Sequence, residues 1–591
     1  MADLATVLAQ AEQLHHAGQP EQARQVIARA LQKSPADANL NNAMAIALVG
    51  LHQLDQALFY AEKAASSRQP HHHHLVTFGN LLCMKDKHEK AMTVLQRALA
   101  LSPGDTGARL ALAHALKGSR RMLAASREYR AILDAHPTDL GAALALSDAL
   151  QAVGLPEEAP AVLARALEHH PANPELRGSF AYALNYLPTD APETILEAHR
   201  AFANVLEAAM PGLSHPAPKP LTHPDGTPRP MRVAILSADL RTHSVAFFAR
   251  PLFEHLPKHR FTLLAYHTSS AEDAMSDKLR AHASLWRRVE TLSPMDLARQ
   301  IASDAPDVLI DLTVHTTGQR LAAVHLRPAP IIINYLGYPN TSGMPAFTHR
   351  IADAITDPPG TEGSCVERLE RLAPSFLCFS EPEGAPDVAP VPASQPFTFG
   401  SFNGLPKVHA GVIDTWAEIL RAAPGTRLIV KNPNFSESEL AADIRARFER
   451  RGIDPARIDT AIGPKAQRDH LAFYNRVDLA LDTFPYTGTT TTFESLLMGV
   501  PVLTMTGNTH ASRVSASILL SLSLDRFIVR SREDYIARAV ELAQSREALA
   551  PLRAQLRSTL RASGLLDAPA FAARFGELLE SIHARALSER G

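Results

Sequence analysis

The stretch Asp478 to Thr504 reads DLALDTFPYTGTTTTFESLLMGVPVLT, and its order of residues predicts a strand, a turn and a helix start. Asp478 to Phe484 has the pattern of a buried parallel strand, and Pro485 to Gly488 interrupts it. Thr489 to Gly499 has the apolar spacing of a helix, so four threonines fall in its first turn. Helix N-termini present unpaired backbone N–H groups and a partial positive charge, which suits this turn to a diphosphate.

The sequence around this stretch alternates strand and helix patterns from residue 231 onward, which predicts parallel sheets with helical crossovers. The strand candidates of a first half are Val233 to Ser237, Thr262 to Tyr266, Val308 to Thr313 and Ile331 to Tyr335. Those of a second half are Thr398 to Phe402, Leu428 to Lys431, Ile458 to Ile462, Leu479 to Asp482 and Val502 to Met505. An irregular stretch, Asp357 to Gln395, separates them. Two doubly wound halves place the carboxyl ends of their sheets across a cleft, where we expect the chemistry.

The first part of the chain carries a repeat of 34 residues. One column of the repeat is Ala23, Ala57, Ala91, Ala125 and Ala159. A second column, seven residues further on, is Ala30, Ala64, Ala98, Ile132 and Ala166. This period and pattern are those of tetratricopeptide helix pairs, which stack into an α-solenoid with a concave groove for a protein or peptide.

A further helix, Pro192 to Ala209, is out of register with the repeat, and the segment Pro211 to Pro230 contains seven prolines without periodicity. We interpret these as a cap and a linker. The expected division is 1–187 for the repeats, 188–230 for cap and linker, 231–395 for the first Rossmann-like half, and 396–591 for the second half with the C-terminal helices.

The composition narrows the functional classes. Across 591 residues, 59 Lys and Arg nearly balance 61 Asp and Glu, so no overall basic field indicates nucleic acid or an anionic membrane. Cys83, Cys365 and Cys378 lie far apart, and the sequence opens without a secretion-signal pattern. No apolar run approaches the roughly 20 residues of a membrane span. We expect a cytoplasmic protein, and leave a homodimer open.

Two histidines follow strands of the first half. His243 comes after the strand Val233 to Ser237 and opens a predicted helix, Val245 to Leu256. His315 follows the strand Val308 to Thr313 in the same way. An imidazole at a strand's carboxyl end donates to a phosphate oxygen or accepts a proton from a hydroxyl nucleophile. The structural alternative is a surface histidine that caps its helix.

The second half offers a cation, a phosphate cradle and a carboxylate. Lys407 lies just past its first strand, where an ammonium neutralises a leaving diphosphate in place of a metal ion. Thr490 and Thr491 share a helix face with Glu494, whose carboxylate is suited to ribose hydroxyls. His470, on a helix predicted over Gln467 to Val477, is a candidate contact to the base or sugar. The alternatives are a solvated lysine, an N-capped structural helix and an ordinary helix histidine.

Other motifs are missing or ambiguous. The sequence has no GxGxxG after the first strand, no GK[ST] phosphate loop, no HExxH and no paired-cysteine metal site. Dehydrogenase, kinase, ATPase and zinc hydrolase functions therefore lose support. His71 to His74 could bind a metal in vitro, but we expect them to be solvated side chains at the start of a repeat helix.

After the repeats come, in order, LSADLRTHSVAFF, DLTVHTTGQRL, RPAPIIINYLGYPNTSG, FGSFNGLPK, HLAFYNRVDLALDTFPYTGTTTTFESLLMGVPVLT and THASRV. Over nearly the whole chain this resembles the SPINDLY and O-GlcNAc transferase family, glycosyltransferase family 41. The resemblance implies a GT-B fold, a nucleotide-sugar donor, inversion at the anomeric carbon, and no required metal or other cofactor. It also implies that protein Ser or Thr hydroxyls, bound along the repeats, are the acceptors.

The resemblance also assigns residues. His243 is similar to the family's essential histidine near the α-phosphate and the acceptor, and Lys407 to the lysine that holds the leaving diphosphate. His315 corresponds to a cleft histidine and His470 to a nucleoside-contacting one. Gly404 departs from the pattern, because animal O-GlcNAc transferases have a polar amide there.

Within the threonine turn, Thr490 and Thr491 resemble the family's phosphate-binding pair, and Glu494 stands at the position of a ribose-binding acid. Thr489, also expected at the nucleotide sugar, replaces a histidine of the animal enzymes, and Glu494 replaces an aspartate. The run TFPYTGTTTT is nearer to the SPINDLY branch, whose plant members transfer fucose from GDP.

The sequence therefore predicts an inverting, metal-independent transferase that moves a sugar, with GlcNAc from UDP-GlcNAc favoured, to protein hydroxyls. Three alternatives stay open: a protein O-fucosyltransferase that uses GDP-fucose, a transferase acting on a glycan or small molecule, and a repeat scaffold that has lost turnover.

Overall fold

Antiparallel helix pairs build the first part of the chain. The structure is a computed structural model that describes residues 4–189, 191–392, 394–464 and 466–589.

Contacts separate a first unit, Met1–Val153 with Ser436–Ala441, from a second unit, Gly154–Phe435 with Ala442–Gly591. The helices of the first unit are the pairs α1 (Leu4–His16) and α2 (Pro20–Leu31), α3 (Ala38–Gly50) and α4 (Leu54–Ala65), α5 (His72–Met84) and α6 (His88–Leu101), and α7 (Thr106–Gly118) and α8 (Met122–Ala135), followed by α9 (Leu140–Ala152).

The alanine column of the repeat lies where paired helices meet. Ala57, Ala91 and Ala125 are fully buried, and each is the fourth residue of the second helix in its pair. A methyl side chain at these positions lets two helix backbones approach closely without leaving a cavity. The 34-residue spacing therefore corresponds to a recurring packing contact.

Helix caps recur at the same spacing, which the sequence analysis did not use. Asp37, Asp105 and Asp139 each accept a hydrogen bond from the backbone N–H three residues further on, at 2.9, 3.0 and 2.8 Å. Such a cap satisfies one unpaired N–H group of the helix start. His71 occupies this column at α5, where its backbone N–H donates to His74 Nδ1 at 3.2 Å.

The second unit begins with three more helices: α10 (Ala159–His169), α11 (Pro174–Leu184) and α12 (Pro192–Ala209). The bounds of α12 are those predicted from its apolar spacing. Its residues Phe202, Ala203 and Leu206 are buried in the core of the sheet that follows. This helix therefore belongs to the packing of the first sheet.

The first sheet is parallel and seven-stranded, with the order β3-β2-β1-β4-β5-β6-β7 in the described residues. Its strands are β1 (Met231–Ser237), β2 (Phe261–His267), β3 (Leu285–Arg288), β4 (Val308–Asp311), β5 (Ile331–Tyr335), β6 (His349–Ala352) and β7 (Arg368–Arg371). Its helices are α13 (Ser244–His255), α14 (Ala274–Arg280), α15 (Pro294–Ser303) and α16 (Leu321–His325).

The second sheet is parallel and six-stranded over the part of the chain described, with the order β10-β9-β8-β11-β12-β13. Its strands are β8 (Thr398–Ser401), β9 (Arg427–Lys431), β10 (Ile458–Ala461), β11 (Leu479–Leu481), β12 (Val502–Met505) and β13 (Ile528–Val529). The remaining helices are α17 (Ala410–Ala422), α18 (Ser438–Glu449), α19 (Gln467–Ala472), α20 (Thr490–Leu497), α21 (Val514–Leu520), α22 (Arg532–Gln544), α23 (Arg546–Ala562) and α24 (Ala568–Ser588). Short 3₁₀ helices span Glu362–Ser364, Leu405–Lys407, Pro433–Ser436, Pro455–Arg457, Phe473–Arg476, His510–Ser512 and Asp525–Phe527.

Both sheets have a switch point beside their first strand. β1 pairs with β2 on one side and β4 on the other, and β8 pairs in the same way with β9 and β11. Chain connections leave such a point in opposite directions, so a crevice opens at the carboxyl ends of the strands. His243 follows β1 and Lys407 follows β8, as the sequence predicts.

An aromatic contact joins the two sheets' helices within the second unit. Phe493 of α20 stacks on Phe379, with ring centroids 5.0 Å apart, and meets Phe248 of α13 at 5.5 Å. Phe248 and Phe493 each lie about one turn inside their helices. The helix starts that carry His243 and Thr490 therefore belong to two helices in direct contact.

Several elements differ from those predicted. The strands β3, β6, β7 and β13 were not predicted, and β7 lies inside the stretch expected to be irregular. β3 (LWRR) and β7 (RLER) are charged, partly exposed strands, so they lack the apolar run of a central strand. The helix predicted over Gln467 to Val477 is wrong in its second part, which is the 3₁₀ turn Phe473–Arg476. Within the described residues, no helix combines the length and apolar composition needed to cross a membrane.

Candidate functional site

Asp482 fixes the loop between β11 and α20. Its Oδ1 accepts from the backbone N–H groups of Thr483 at 2.9 Å and Gly488 at 2.8 Å, and from Asn403 Nδ2 at 3.1 Å. Its Oδ2 accepts from the Thr504 hydroxyl at 2.8 Å. Burial raises the pKa of Asp482, and these hydrogen bonds oppose that effect. The loop is thus organised by protein groups alone. Asp482 was predicted only as the last residue of a strand, although the carboxyl end of a strand is where ligands bind in such sheets.

Gly488 is required by the close packing of this loop. A Cβ atom there would lie 2.5 Å from Thr492 Oγ1 and 2.6 Å from Thr491 Oγ1. Any larger residue would displace the first turn of α20. The glycine of the run YTGTTTT therefore sets the position of the helix start.

The four threonines divide into two kinds. Thr489, Thr490 and Thr491 are half-buried, and Thr491 donates to Asn403 Oδ1 at 3.0 Å. Thr492 is buried, and its hydroxyl is hydrogen-bonded to Ser515 at 2.9 Å. Thr489, Thr490 and Thr491, which were predicted for the nucleotide sugar, are thus the partly exposed residues of the turn, whereas Thr492 holds α20 against α21.

Lys407 lies at this loop. Its Nζ donates to the Thr487 carbonyl oxygen at 2.7 Å and sits 3.9 Å from the centroid of the Tyr486 ring. Burial lowers the pKa of Lys407 to about 8, and the nearby Asp482 carboxylate opposes the shift. The contacts place a cation beside the start of α20, where the sequence analysis expected a leaving diphosphate.

His470 and Glu494 are in direct contact. The Glu494 carboxylate accepts from His470 Nε2 at 2.9 Å, Tyr474 Oη at 3.2 Å and Gln467 Nε2 at 3.2 Å. Glu494 is 5% exposed. The predicted ribose carboxylate is therefore already held by three protein donors, and a ribose hydroxyl would share its remaining lone pairs.

Lys431 completes this group, and sequence reasoning missed it. Its Nζ lies 2.7 Å from His470 Nδ1 and 4.3 Å from the centroid of the Phe402 ring. Because an ammonium only donates, Nδ1 accepts, and Nε2 carries the proton that His470 donates to Glu494. Burial lowers the pKa of Lys431 to about 8, opposed by Glu494. Lys431 is the last residue of β9. Lys407 was selected because it follows the carboxyl end of a strand, and the same criterion selects Lys431.

A small cavity lies at the carboxyl ends of β8 and β11, beside these groups. Its lining includes Phe402, Asn403, Tyr474, Asp482 and Thr491. Residues from the β8, β11 and α20 regions thus converge at the switch point. This is where doubly wound sheets bind nucleotides.

His243 caps α13. Its Nδ1 accepts from the Val245 backbone N–H at 3.3 Å and lies 3.5 Å from Asp239 Oδ1, and its side chain is 40% exposed. Burial lowers the pKa of His243; Asp239 opposes this effect and Arg241 adds to it. With Nδ1 as an acceptor, the neutral ring carries its proton on Nε2. The helix cap is therefore present, and it directs the neutral ring's proton to Nε2, while the role of His243 at the donor or acceptor stays a prediction.

His315 lies among protein rings. Its Nε2 donates to the Ser342 carbonyl oxygen at 2.8 Å, and the rings of His199 and Phe202 lie 4.9 Å away. Burial, with His199 adding to it, lowers the pKa of His315 to about 3. The ring is therefore neutral at physiological pH. These contacts are with protein groups, and its role at the nucleotide sugar stays a prediction.

Asp311, at the end of β4, is a buried carboxyl that the sequence analysis did not select. Its Oδ1 accepts from the backbone N–H groups of Thr313 at 2.8 Å and Val314 at 3.1 Å. Within the described residues its Oδ2 has no hydrogen-bond partner, and burial raises its pKa to about 6. A carboxyl group that titrates near neutrality thus lies at the switch point of the first sheet.

One group of metal-ligating side chains is found within the described residues. The ligand atoms of His71, His72 and His73 lie within 4.8 Å of one another. His72 Nε2 also lies 3.3 Å from Asp105 Oδ2. This group belongs to the first unit and shares no residue with the second unit's candidate site.

Two doubly wound parallel sheets that follow tetratricopeptide helices define a GT-B glycosyltransferase fold. The chain belongs to glycosyl transferase family 41, whose model matches residues 214–380 and 391–575.

Relatives agree with this assignment. The probable UDP-N-acetylglucosamine–peptide N-acetylglucosaminyltransferase SPINDLY of Oryza sativa subsp. japonica is 35% identical over 395 residues, which cover 66% of this chain and 42% of that protein. The probable UDP-N-acetylglucosamine–peptide N-acetylglucosaminyltransferase SEC of Arabidopsis thaliana is 26% identical over 61% of this chain and 37% of its own length. The chain thus matches less than half the length of these curated relatives.

A solved structure extends the comparison through the repeats. A mutant of the Thermobaculum terrenum O-GlcNAc transferase matches with a TM-score of 0.80 and 28% identity, covering 89% of this chain and 100% of that one. The similarity therefore includes helices as well as both sheets.

Proposed function

We propose that this protein transfers a sugar from a nucleotide diphosphate donor to Ser or Thr hydroxyls of proteins, with inversion at the anomeric carbon. The observation that carries the proposal is the position of Lys407, whose ammonium lies against the loop that leads into α20. A cation and a helix N-terminus at one loop suit a leaving diphosphate.

In the proposed reaction, the acceptor hydroxyl oxygen bonds to the anomeric carbon on the face opposite the diphosphate. The bond from that carbon to the diphosphate oxygen breaks, and the leaving group takes the electron pair. Lys407 and the N–H groups at Thr490 and Thr491 stabilise the charge that develops there. The hydroxyl proton goes to a general base whose identity stays open.

His243 is proposed to bind the donor phosphate through Nε2–H. The cap hydrogen bond from Val245 occupies Nδ1, so the neutral ring donates from Nε2. Acting as a base through Nε2 would require the other tautomer, with Nδ1–H turned toward Asp239 at 3.5 Å. The geometry favours phosphate contact.

UDP-GlcNAc is the favoured donor, because both plant relatives are named as peptide N-acetylglucosaminyltransferases and the solved neighbour as an O-GlcNAc transferase. GDP-fucose is the alternative, which the TFPYTGTTTT run supports through its resemblance to the SPINDLY branch. We also propose that no metal is required, since Lys407 supplies positive charge at the leaving group.

Protein acceptors are proposed to bind along the helix pairs of the first unit, as tetratricopeptide arrays bind peptides. The oligomeric state stays open, with a homodimer as the alternative to a monomer. The ordered loop around Asp482 and the placement of Lys407 argue against a scaffold that has lost turnover.

Incubation with radiolabelled UDP-GlcNAc or GDP-fucose and host lysate, with and without EDTA, tests these assignments. We expect label from UDP-GlcNAc in protein, unchanged by EDTA. Label from GDP-fucose alone would replace the donor, label only in small molecules would overturn the protein acceptor, and no label would favour the scaffold. Loss of transfer in EDTA, restored by added metal, would contradict metal independence.

A further inference from the structure

Lys407 is restrained by two neighbours in the loop between β11 and α20. Its Nζ donates to the Thr487 carbonyl oxygen at 2.7 Å, which uses one of its three N–H donors. The face of the Tyr486 ring lies 3.9 Å from the same atom. A cation this close to an aromatic face is attracted by the ring's quadrupole, more strongly where water is excluded. Together these contacts fix a charge at the end of a flexible side chain.

The Tyr486 ring is itself held by aromatic residues near the end of α11. Tyr186 stacks on it with ring centroids 5.3 Å apart and planes 23° from parallel. The hydroxyl oxygens of Tyr186 and Tyr182 are 2.6 Å apart, and Tyr182 stacks on Tyr338 at 6.2 Å. Asn185 Nδ2 donates to the Tyr338 hydroxyl at 2.8 Å. A continuous aromatic row therefore runs from the α11 end to Lys407.

We propose that Tyr486 is a positioning residue for Lys407, and that Tyr186 holds the Tyr486 ring in place. This rests on the proposed function, because Lys407 is assigned there to the leaving diphosphate. Tyr486 acts through its ring, without transferring a proton. Burial raises the pKa of its phenol, which keeps the hydroxyl protonated at physiological pH. The row gives the segment after α11 a direct influence on the charge at the leaving group.

Two substitutions of Tyr486 separate a positioning role from a packing role: one removes the aromatic ring and the other keeps it. We expect Tyr486→Leu to lower kcat about 10-fold, because the cation loses its aromatic partner. Tyr486→Phe keeps the face and should stay within about twofold of wild type. The donor KM should change less than kcat, since Lys407 acts mainly on the charge that develops during transfer.

Two further variants test the row and its specificity. Tyr186→Leu should lower kcat about threefold and Tyr186→Phe hardly at all, because only the former loses the stacked ring. Tyr266→Leu removes another fully buried tyrosine ring, in β2, and should lower thermal stability without the same loss of kcat. Circular dichroism checks that each variant is folded. If Tyr486→Leu does not fold, the comparison of Tyr186→Leu with Tyr186→Phe tests the proposal in its place.

Calorimetric binding of UDP and GDP gives a readout that does not depend on turnover. We expect the preferred diphosphate to bind about 10-fold more weakly to Tyr486→Leu and normally to Tyr486→Phe. Equal losses in both variants, or unchanged kcat and affinity in folded Tyr486→Leu, would overturn the positioning role. Wild-type protein that binds the nucleotide but transfers no sugar would instead contradict the proposed function, and the calorimetric comparison would still decide this inference.

Discussion

The helix caps of the first unit join residues that are close in sequence, whereas the contacts at the second unit's candidate site join segments that are far apart in sequence. Asp139 caps α9 by a hydrogen bond to a residue three positions away. Lys407 instead contacts Thr487, and Asn403 contacts Asp482, across 80 and 79 residues. A local contact repeats with the sequence period, while a distant one depends on the whole sheet being formed. We therefore expect changes in the first unit to cost stability and changes at the second unit's loop to cost chemistry.

The largest expected effect is that of Lys407→Ala. Removing a preorganised cation from the leaving group should lower transfer by about 10²-fold or more, with the fold intact. Steady-state assays of labelled protein give the rate, and thermal unfolding gives the stability. Lys258→Ala is a matched control, because Lys258 is an exposed lysine of the same unit. Near wild-type transfer by Lys407→Ala would remove this residue from the mechanism.

Asp482→Asn should come next, with a rate loss of about 10-fold and a lower free energy of unfolding by about 2 kcal/mol. Both carboxylate oxygens of Asp482 accept hydrogen bonds. In the asparagine variant an NH₂ group would replace one of these acceptors and face a donor, so the loop before α20 would lose its order. Kinetics and denaturant unfolding of the same preparation measure both quantities. A stability loss without any rate loss would mean that the loop does not position the reacting groups.

His243→Ala should weaken donor binding by about 10-fold, since a hydrogen bond to a charged phosphate would be lost. Calorimetry with the nucleotide product and the donor KM both report this change. Retained binding with a lower kcat would place His243 on the acceptor side instead, as a base.

The pH dependence of kcat/KM should show an alkaline limb. In the proposed reaction Lys407 carries a proton to neutralise the diphosphate, and burial lowers its pKa to about 8 in the free protein. Activity should therefore be retained below this value and fall as pH rises through it. Asp482→Asn should move the limb to lower pH, because the carboxylate now raises the Lys407 pKa. A limb that does not move in this variant would assign the ionisation to another group.

The smallest effect on chemistry is expected for Asp139→Ala in the first unit. Loss of the α9 cap should lower stability by about 1 kcal/mol and leave kcat unchanged. Asp134→Ala, at an exposed position of α8, is the matched control and should change neither. A large kcat loss from the cap variant would contradict the contrast between the units.

Periodic and local features could be predicted from the sequence. The 34-residue columns give the helix pairs, and apolar runs give central strands such as Ile331–Tyr335 and Val502–Met505 with their observed bounds. Charged edge strands were missed, because they lack a fully apolar run. The cap column at Asp37, Asp105 and Asp139 recurs at multiples of the same 34 residues as the alanines, so the sequence also contains this signal.

The candidate site was predictable only in part. Lys407, Thr490 and Thr491 follow from their places at a strand end and a helix start. The contacts of Tyr486 and Lys431 could not be predicted, because each depends on which distant segment the sheet order brings beside it. Glu494 shows the same limit: its helix face was expected, but its three protein donors were not.

The most direct test compares wild type and Lys407→Ala in transfer of labelled sugar to protein, with UDP-GlcNAc and GDP-fucose supplied in turn. We predict alkali-labile label on Ser or Thr of protein from one donor, UDP-GlcNAc being favoured, and at least about 10²-fold less with Lys407→Ala. Equal labelling by the two proteins, or none by wild type from either donor, would contradict the assignment of this loop as the transferase site.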